Sequence, residues 1–394
     1  MALTDYKVAY DNTYEEVFNK VLVAKSIANM RYEPTLTYGG SVTRFTYDTA
    51  AVRVRTVARG SASTIDAITD STESLTINLE KEAVFFISDG EVKQTGPLNP
   101  GEVIGGQIAV KVATDLDSRV LAEVLNAYQT FDTGDLTTSV SNGTAITLSS
   151  TTVPQMVTRM PAKLKNVNQV LTNMAFVVDP YMAADLEQYL LGKQFDIVNS
   201  IWKNGYSGAI SMAEVYVSNN LTYTAVLTGT GVFVDTQTVT IGGVVFTSEA
   251  TPTTAGSFDV ATLANSLGYL ASLINNPGTT SATQIALSAA DQAIVTDVLG
   301  LSAVATATTL TITARGAGRI VVSETQTNVA WGSPTLHAYY GKKGAIDLVV
   351  QDISSVDMRE TSDRRGTNIF SSYLAGIKTF ADGAKKFLDV KIVV

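Results

Sequence analysis

Cysteine is absent from this 394-residue sequence. Its absence removes disulfides, thiolate nucleophiles and sulfur-ligated zinc or iron–sulfur centres together, and favours a reducing compartment. Histidine occurs once, as His337. A catalytic triad would have to use that residue, and a site needing two or three imidazoles is excluded. Lysine is missing from Asn204 to Gly341. Positive charge is scarce overall: 28 Lys and Arg stand against 37 Asp and Glu, for a net charge of −9. Phosphate backbones are gripped by clustered basic residues, so contact with nucleic acid is expected to be weak and non-specific. No apolar run approaches the ~20 residues of a membrane span. The opening MALTDYKVAYDNTYEE is polar and acidic, without the apolar centre of a secretion signal. The expectation is a soluble, cytoplasmic protein with no membrane partner.

What is present describes an ordered chain. Hydrophobic residues make up 45% and charged residues 16%, enough to build a core, and the length suits two or three domains. Residues 14–30 place Val17, Val21, Val23, Ile27 and Met30 near helical spacing, which predicts a short helix, ended by Pro34, in an otherwise extended N-terminal arm. From Ser41 to about Gly60 the period becomes two, with Val52, Val54 and Val57 alternating against Arg53, Arg55 and Arg59. A polar stretch, SASTIDAITDSTES, carries Asp66, Asp70 and Glu73, and SLTINLEKEAVFFIS returns as a second strand. The pattern predicts a projecting hairpin with a basic strand and an acidic tip.

The strongest element follows. Asn99 can cap, Pro100 suits a first helical turn and Glu102 can complete a capping box. Ile104, Ile108, Val112, Leu116, Val120, Val124 and Tyr128 then recur at every fourth position, widened by Leu121 and Leu125. One amphipathic helix of about seven turns, roughly 40 Å long, is predicted over Asn99–Tyr128. Asp115 and Asp117 lie two apart on it and so do not face each other.

Beyond a turn-rich region, PAKLKNVNQVLTNMAFVVDPYMAADLEQYLLGKQ reads as helix, buried strand and a helix opened by Asp179-Pro180. From Leu221 to about Ala330 the composition turns to Thr, Gly, Ala and Val, with strand pairs, a Gly242-Gly243 hairpin and one helix bearing Leu263, Leu267, Leu270 and Ile274. This stretch reads as a self-contained insertion. The earlier style resumes at Trp331, and the closing FSSYLAGIKTFADGAKKFLDVKIVV reads as two strands around Ala381-Asp382-Gly383.

Sites of chemistry are few. Gly205 and Gly208 in GYSGAISMAEVYVSNNL lack the lysine and the following helix of a phosphate loop, so they are assigned to a turn before a strand over Met212–Ser218. His337, in HAYY, suits a packed or hydrogen-bonded residue. No set of nucleophile, base and oxyanion donors assembles, so no enzyme, cofactor or metal is expected. The extended arm, projecting hairpin and long helix make sense if identical neighbours receive them.

This order of parts resembles the major capsid proteins of tailed phages, the Hong Kong 97-like fold. Ser41–Ser88 is similar to that family's E-loop, and Asn99–Tyr128 to its spine helix. AFVVDPYMAADLEQYLL with NGYSGAISMAEVYVSNNL is similar to its A-domain, and AYYGKKGAIDLVVQ and YLAGIKTFADGAKKFLDVKIVV to its closing segments. The resemblance implies an α+β fold with an N-terminal arm (1–40), an E-loop (41–88), a P-domain (89–150 and 350–394), an A-domain (151–220 and 331–349) and an insertion domain (221–330). It implies self-assembly into hexamers and pentamers of an icosahedral shell around double-stranded DNA. Arg53, Arg55, Arg59, Asp66, Asp70 and Glu73 would then make contacts between subunits. A separate scaffolding protein is implied because the chain starts at the arm; a portal protein and a decoration protein are further partners of such a shell. The hairpin has no lysine from Arg31 to Glu80, so no covalent cross-link through it is expected. The rival reading is a virion accessory of the tail-tube or fibre type, with the Thr/Gly-rich stretch as an adhesive module.

Overall fold

The computed structural model describes residues 23–32, 40–48, 52–56, 59–60, 65–66, 68–88, 100–191, 206–210, 212–316, 318–360 and 365–394. A helical turn α1 (Ala24–Ile27) precedes strands β1 (Ser41–Asp48), β2 (Thr69–Thr76) and β3 (Leu79–Ser88). Helix α2 (Pro100–Ala122) leads into a 3-10 turn (Glu123–Asn126), β4 (Gln129–Phe131), α3 (Thr133–Thr137) and α4 (Thr152–Asn166). Next come β5 (Met174–Val178), α5 (Pro180–Leu191), β6 (Tyr206–Ile210), β7 (Ala213–Val217) and β8 (Thr222–Gly229). Strands β9 (Thr238–Ile241), β10 (Val244–Glu249) and β11 (Ser257–Asp259) are followed by α6 (Leu263–Asn275) and α7 (Ala289–Ala293). The chain closes with β12 (Ser302–Ala305), β13 (Thr309–Arg315), β14 (Val322–Glu324), β15 (Val329–Trp331), β16 (Thr335–Lys342), β17 (Asp347–Glu360), β18 (Gly366–Lys378), α8 (Ala381–Ala384) and β19 (Phe387–Val393). The architecture is α+β, as expected. The described residues fall into two compact units: one within 28–112 and 344–384, the other within 23–27, 113–343 and 385–394.

In the first unit, β18 lies between β17 and β3 in an antiparallel sheet, and β1 pairs with β2 from Ser41↔Thr76 to Asp48↔Thr69. Leu75, Val349 and Phe380 form a buried cluster with Tyr32, Val42 and Ile77 packed against it. The segment SLTINLEKEAVFFIS, read as one strand, is two. It breaks at Ile77–Asn78, and its halves β2 and β3 join different sheets. Alternation survives such a switch of partner because every extended segment carries the same period of two.

In the second unit a sheet runs β12-β13-β8-β16-β5-β7-β6, with β15 on β8, β19 on β16 and β4 on β19. Strand β16 is its pivot, pairing with β8 through Thr335–His337, with β5 through Tyr339–Lys342 and with β19 along Thr335–Gly341. The residues from Leu336 to Gly341 are all buried, the near-continuous run of a strand covered on both faces. Tyr340 meets Phe176 edge-on at 5.8 Å and Tyr339 stacks on Phe387 at 5.0 Å. A second sheet, β11-β10-β9-β14, contains the expected hairpin, with Gly242 and Gly243 at φ 56° and 88°, the left-handed pair such a two-residue turn demands. Helix α6 buries Leu267, Leu270, Leu273 and Ile274 and packs on β12, β11 and β13.

Two expectations change here, and one holds. The 221–330 stretch is not self-contained: β8, β12, β13 and β15 belong to the sheet that also holds β5, β7 and β16. The closing segment forms the two expected strands around Ala381–Ala384, β18 in the three-stranded sheet and β19 in the large one. Gly208 lies within β6, in a bulge between Tyr206 and Ala209, rather than in the turn. The turn into β7 includes Met212, at φ 67°; Gly205 lies outside the described residues.

Helix α2 ends earlier than its stripe suggests. At 23 residues it is about 35 Å long. Val112, Leu116, Val120, Leu121 and Val124 are buried as expected, while Leu125 and Tyr128 are exposed. At Ala127 the backbone turns extended (φ −59°, ψ 138°) to enter β4, which pairs in parallel with β19. Asn99 and the Glu102 side chain lie outside the described residues, as does most of the helix predicted over residues 14–30.

Candidate assembly hairpin

The β1–β2 hairpin is fastened at its base. Arg44 faces Glu73 across the ladder and donates to Asp382 at 3.1 Å, with Asp347 at 4.0 Å. Its guanidinium lies 4.7 Å from the Phe380 ring centroid, a cation–π contact. Burial works against this charge, but the Asp382 carboxylate, with Tyr32 and Asp347, more than offsets it and raises the Arg44 pKa. Glu73 accepts the Ala381 N–H at 3.0 Å.

Toward its tip the hairpin turns apolar and open. Phe45 is 66% exposed, Val54 fully exposed and Ile65 92% exposed; Val52 and Ile68 are exposed too. Isolated exposed apolar side chains are ordinary; here five fall within one hairpin segment, residues 45–68, and larger exposed apolar patches mark interaction surfaces.

The six residues singled out from sequence divide into two groups. Arg53, Arg55 and Asp66 come together: Asp66 accepts the Arg53 backbone N–H at 2.8 Å and the Arg55 guanidinium at 2.5 Å. Residues 52–56 carry no strand ladder, so the basic strand is an irregular segment pinned by one carboxylate. Arg59 is exposed in a turn with Gly60, whose φ is 90°. Asp70 and Glu73 are not at the tip; both sit in β2, opposite Tyr47 and Arg44. The alternation of Val52 and Val54 with the arginines predicted a strand with a basic face, and nothing in it signalled an irregular segment with the valines exposed. Arg44 was missed because its partners lie some 300 residues away.

Buried polar centres make up the other chemistry of the described residues. Asp117, on α2, is fully buried. It accepts the Ala24 N–H at 2.5 Å, the Ser218 hydroxyl at 3.0 Å and the Asn220 amide at 3.1 Å. Burial raises its pKa against the pull of these donors. Its sequence signal was a carboxylate in the otherwise apolar row Ala113, Asp117, Leu121. Asp179 accepts the Met182 N–H at 2.7 Å, as an N-cap of α5, and pairs with Arg319 at 2.8 Å, whose guanidinium stacks over Tyr181. Burial, with Asp179 adding to it, pushes up the Tyr223 hydroxyl. His337 is buried in β16, its Nδ1 2.9 Å from both Asp389 oxygens and its Nε2 2.8 Å from the Thr224 hydroxyl. These groups come from adjacent strands, where backbone N–H groups are engaged in the ladder rather than aimed at a developing oxyanion. The arrangement ties β8, β16 and β19 together, in keeping with the packed role read from HAYY.

No helix among the described residues is long and apolar enough to cross a membrane. No family model matches the sequence, and no curated protein does. Solved phage capsids are similar to this chain. A structure of Mycobacterium phage Che8 covers 93% of this chain and 90% of its own, at 15% identity and a TM-score of 0.46. The mature capsid of bacteriophage PhiM1 covers 90% and 82%, at 11% identity and a TM-score of 0.42. The capsid of cyanophage P-SCSP1u covers 89% and 83%, at 11% identity and a TM-score of 0.42.

Proposed function

We propose that this chain is a major capsid protein of the Hong Kong 97-like type. It would assemble into hexamers and pentamers of an icosahedral shell enclosing double-stranded DNA, in the host bacterial cytoplasm. The observation that carries this reading is the hairpin, fastened through Arg44 and Glu73 while presenting Phe45, Val52, Val54, Ile65 and Ile68 to solvent. Ordering and exposing such a surface is costly unless another copy covers it. Repetition around a ring suits contacts that are individually weak, since area rather than any single pair sustains an interface.

On this reading residues 41–88 are the E-loop, and α2 is the spine helix of a P-domain over 89–150 and 350–394. Residues 151–220 and 331–349 form the A-domain, with 221–330 as its insertion. The tip works through apolar contact, with Arg59 and the exposed Arg53 side chain available to acidic groups of a neighbour, while Arg55 and Asp66 shape the tip from within. A separate scaffolding protein and a portal complete assembly, and a decoration protein can bind the finished shell. The net charge of −9 keeps packaged DNA from adhering tightly. No cofactor or catalytic step is required.

Negative-stain microscopy of the purified protein tests this, alongside the Val54→Asp/Ile65→Asp variant. Shells or capsomer rings for the parent, and dispersed folded subunits for the variant, are expected. Tubes or trimers for the parent would establish the tail-type reading instead.

A further inference from the structure

Asp117 gathers two segments nearly two hundred residues apart. One carboxylate oxygen takes the Ala24 N–H, at the start of α1. The other takes Ser218 Oγ and Asn220 Nδ2, where the chain leaves β7 and turns into β8. The next residue on the helix continues the pattern: a Cβ on Gly316 would lie 2.2 Å from the Ser118 Cβ, so the return loop after β13 presses its backbone onto α2 at the same level. Gly318, in that loop, faces the Asn219 side chain. The N-terminal segment, the exit at 218–220 and the return at 316–318 therefore converge on two consecutive residues of one helix.

The carboxylate is fully buried, and no cation is among its hydrogen-bond partners. Its oxygens are satisfied by hydrogen-bond donors alone, and a buried polar group that loses a donor must draw in solvent. Solvent reaching it from the α1 side would also reach the bonds to Ser218 and Asn220.

We propose that Asp117 is a latch coupling the N-terminal segment to the 218–220 exit: docking of Val23–Ile27 seals the carboxylate and orders the exit, and undocking loosens both. The proposal concerns the folded chain and stands whether or not that chain builds shells. Coupling of this kind is reciprocal by thermodynamic necessity.

Ala24→Pro deletes the Ala24 N–H, at a first helical position where proline's fixed φ is tolerated, and leaves the Val23 N–H as the segment's remaining backbone donor to Asp117. Hydrogen exchange on the full chain is the measurement. Amides 218–221 are expected to exchange at least ten-fold faster in Ala24→Pro, while those of β5 stay protected. In the reciprocal variant Asn220→Ala, the amides of α1 should accelerate. Unchanged exchange at 218–221 in Ala24→Pro would reduce Asp117 to a local cap and overturn the coupling. If Ala24→Pro also exposes β5, the chain has unfolded generally and Asn220→Ala decides alone: accelerated α1 amides support the latch, and unchanged ones overturn it.

Discussion

Burial holds the Asp117 carboxyl above its ordinary value of 3.8, despite donors that pull the other way. Between that value and the raised folded pKa, the folded state keeps a proton that the unfolded chain has released. This group's contribution to stability is therefore greatest at or below about pH 3.8 and declines as pH rises through the folded pKa. The Glu214–Lys343 pair behaves oppositely. Lys343 hydrogen-bonds Glu214 and Tyr216; the bond from Lys343 lowers the Glu214 pKa from 4.5. Burial works against the Lys343 charge, but the bonds to Glu214 and Tyr216 outweigh it and raise its pKa from 10.5. The glutamate contribution is present above 4.5 and lost as pH falls through its folded pKa. The lysine contribution is present below 10.5 and lost as pH rises through its own. Lys343→Met should thus cost ~0.2–1 kcal/mol at neutral pH, the range of a largely solvated pair. The difference from the parent in thermal melting should shrink at both pH extremes. Neither set of partners is written in the sequence, since Ser218 and Asn220 lie about a hundred residues from Asp117 and Glu214 and Tyr216 more than a hundred from Lys343.

Among elements, α2 shows what periodicity can and cannot say. Its apolar row correctly marked Val112, Leu116, Val120 and Val124 for burial, and Leu116→Ala should cost about 3 kcal/mol in denaturant unfolding, as emptied core sites do. The same row ran on to Tyr128, which is exposed because the chain leaves the helix to enter β4; the pairing of β4 with β19 outweighs local helical spacing. The edge strand β12 carries a device that no sequence pattern announces. The Asn275 side chain donates to the Ala303 carbonyl at 2.8 Å and accepts its N–H at 2.9 Å, filling one hydrogen-bonding position of an otherwise open edge. Open edges invite pairing with other chains. Asn275→Ala should lower stability by about 1–3 kcal/mol and increase self-association in sedimentation velocity; a monodisperse, equally stable variant would show the staple to be idle.

At the scale of the molecule, deletion of Thr222–Ala330 is a sharp test of the insertion. A module hung on linkers could be removed cleanly. Strand β8, however, lies between β13 and β16, so the deletion strips a central strand and removes the partner of Thr335–His337, where Leu336 is fully buried. Insoluble protein, or loss of the cooperative melt, is expected. A soluble, cooperatively folding deletion would mean that the Thr335–His337 end of β16 can do without β8. The sequence by itself determined the α+β class, the order of hairpin, long helix, strand and capped helix, the Gly242-Gly243 turn and the exclusion of cysteine chemistry. These follow from local propensity, hydrophobic period and composition, which are properties of short windows. The tertiary structure alone decided that SLTINLEKEAVFFIS serves two sheets, that the lysine-free stretch shares a sheet with β5 and β16, that Arg55 is paired to Asp66 within its own hairpin, and that Asp117 is buried. Each of those depends on which distant segment supplies the hydrogen bonds and excludes the water, and a period of two or of 3.6 is the same whichever partner arrives.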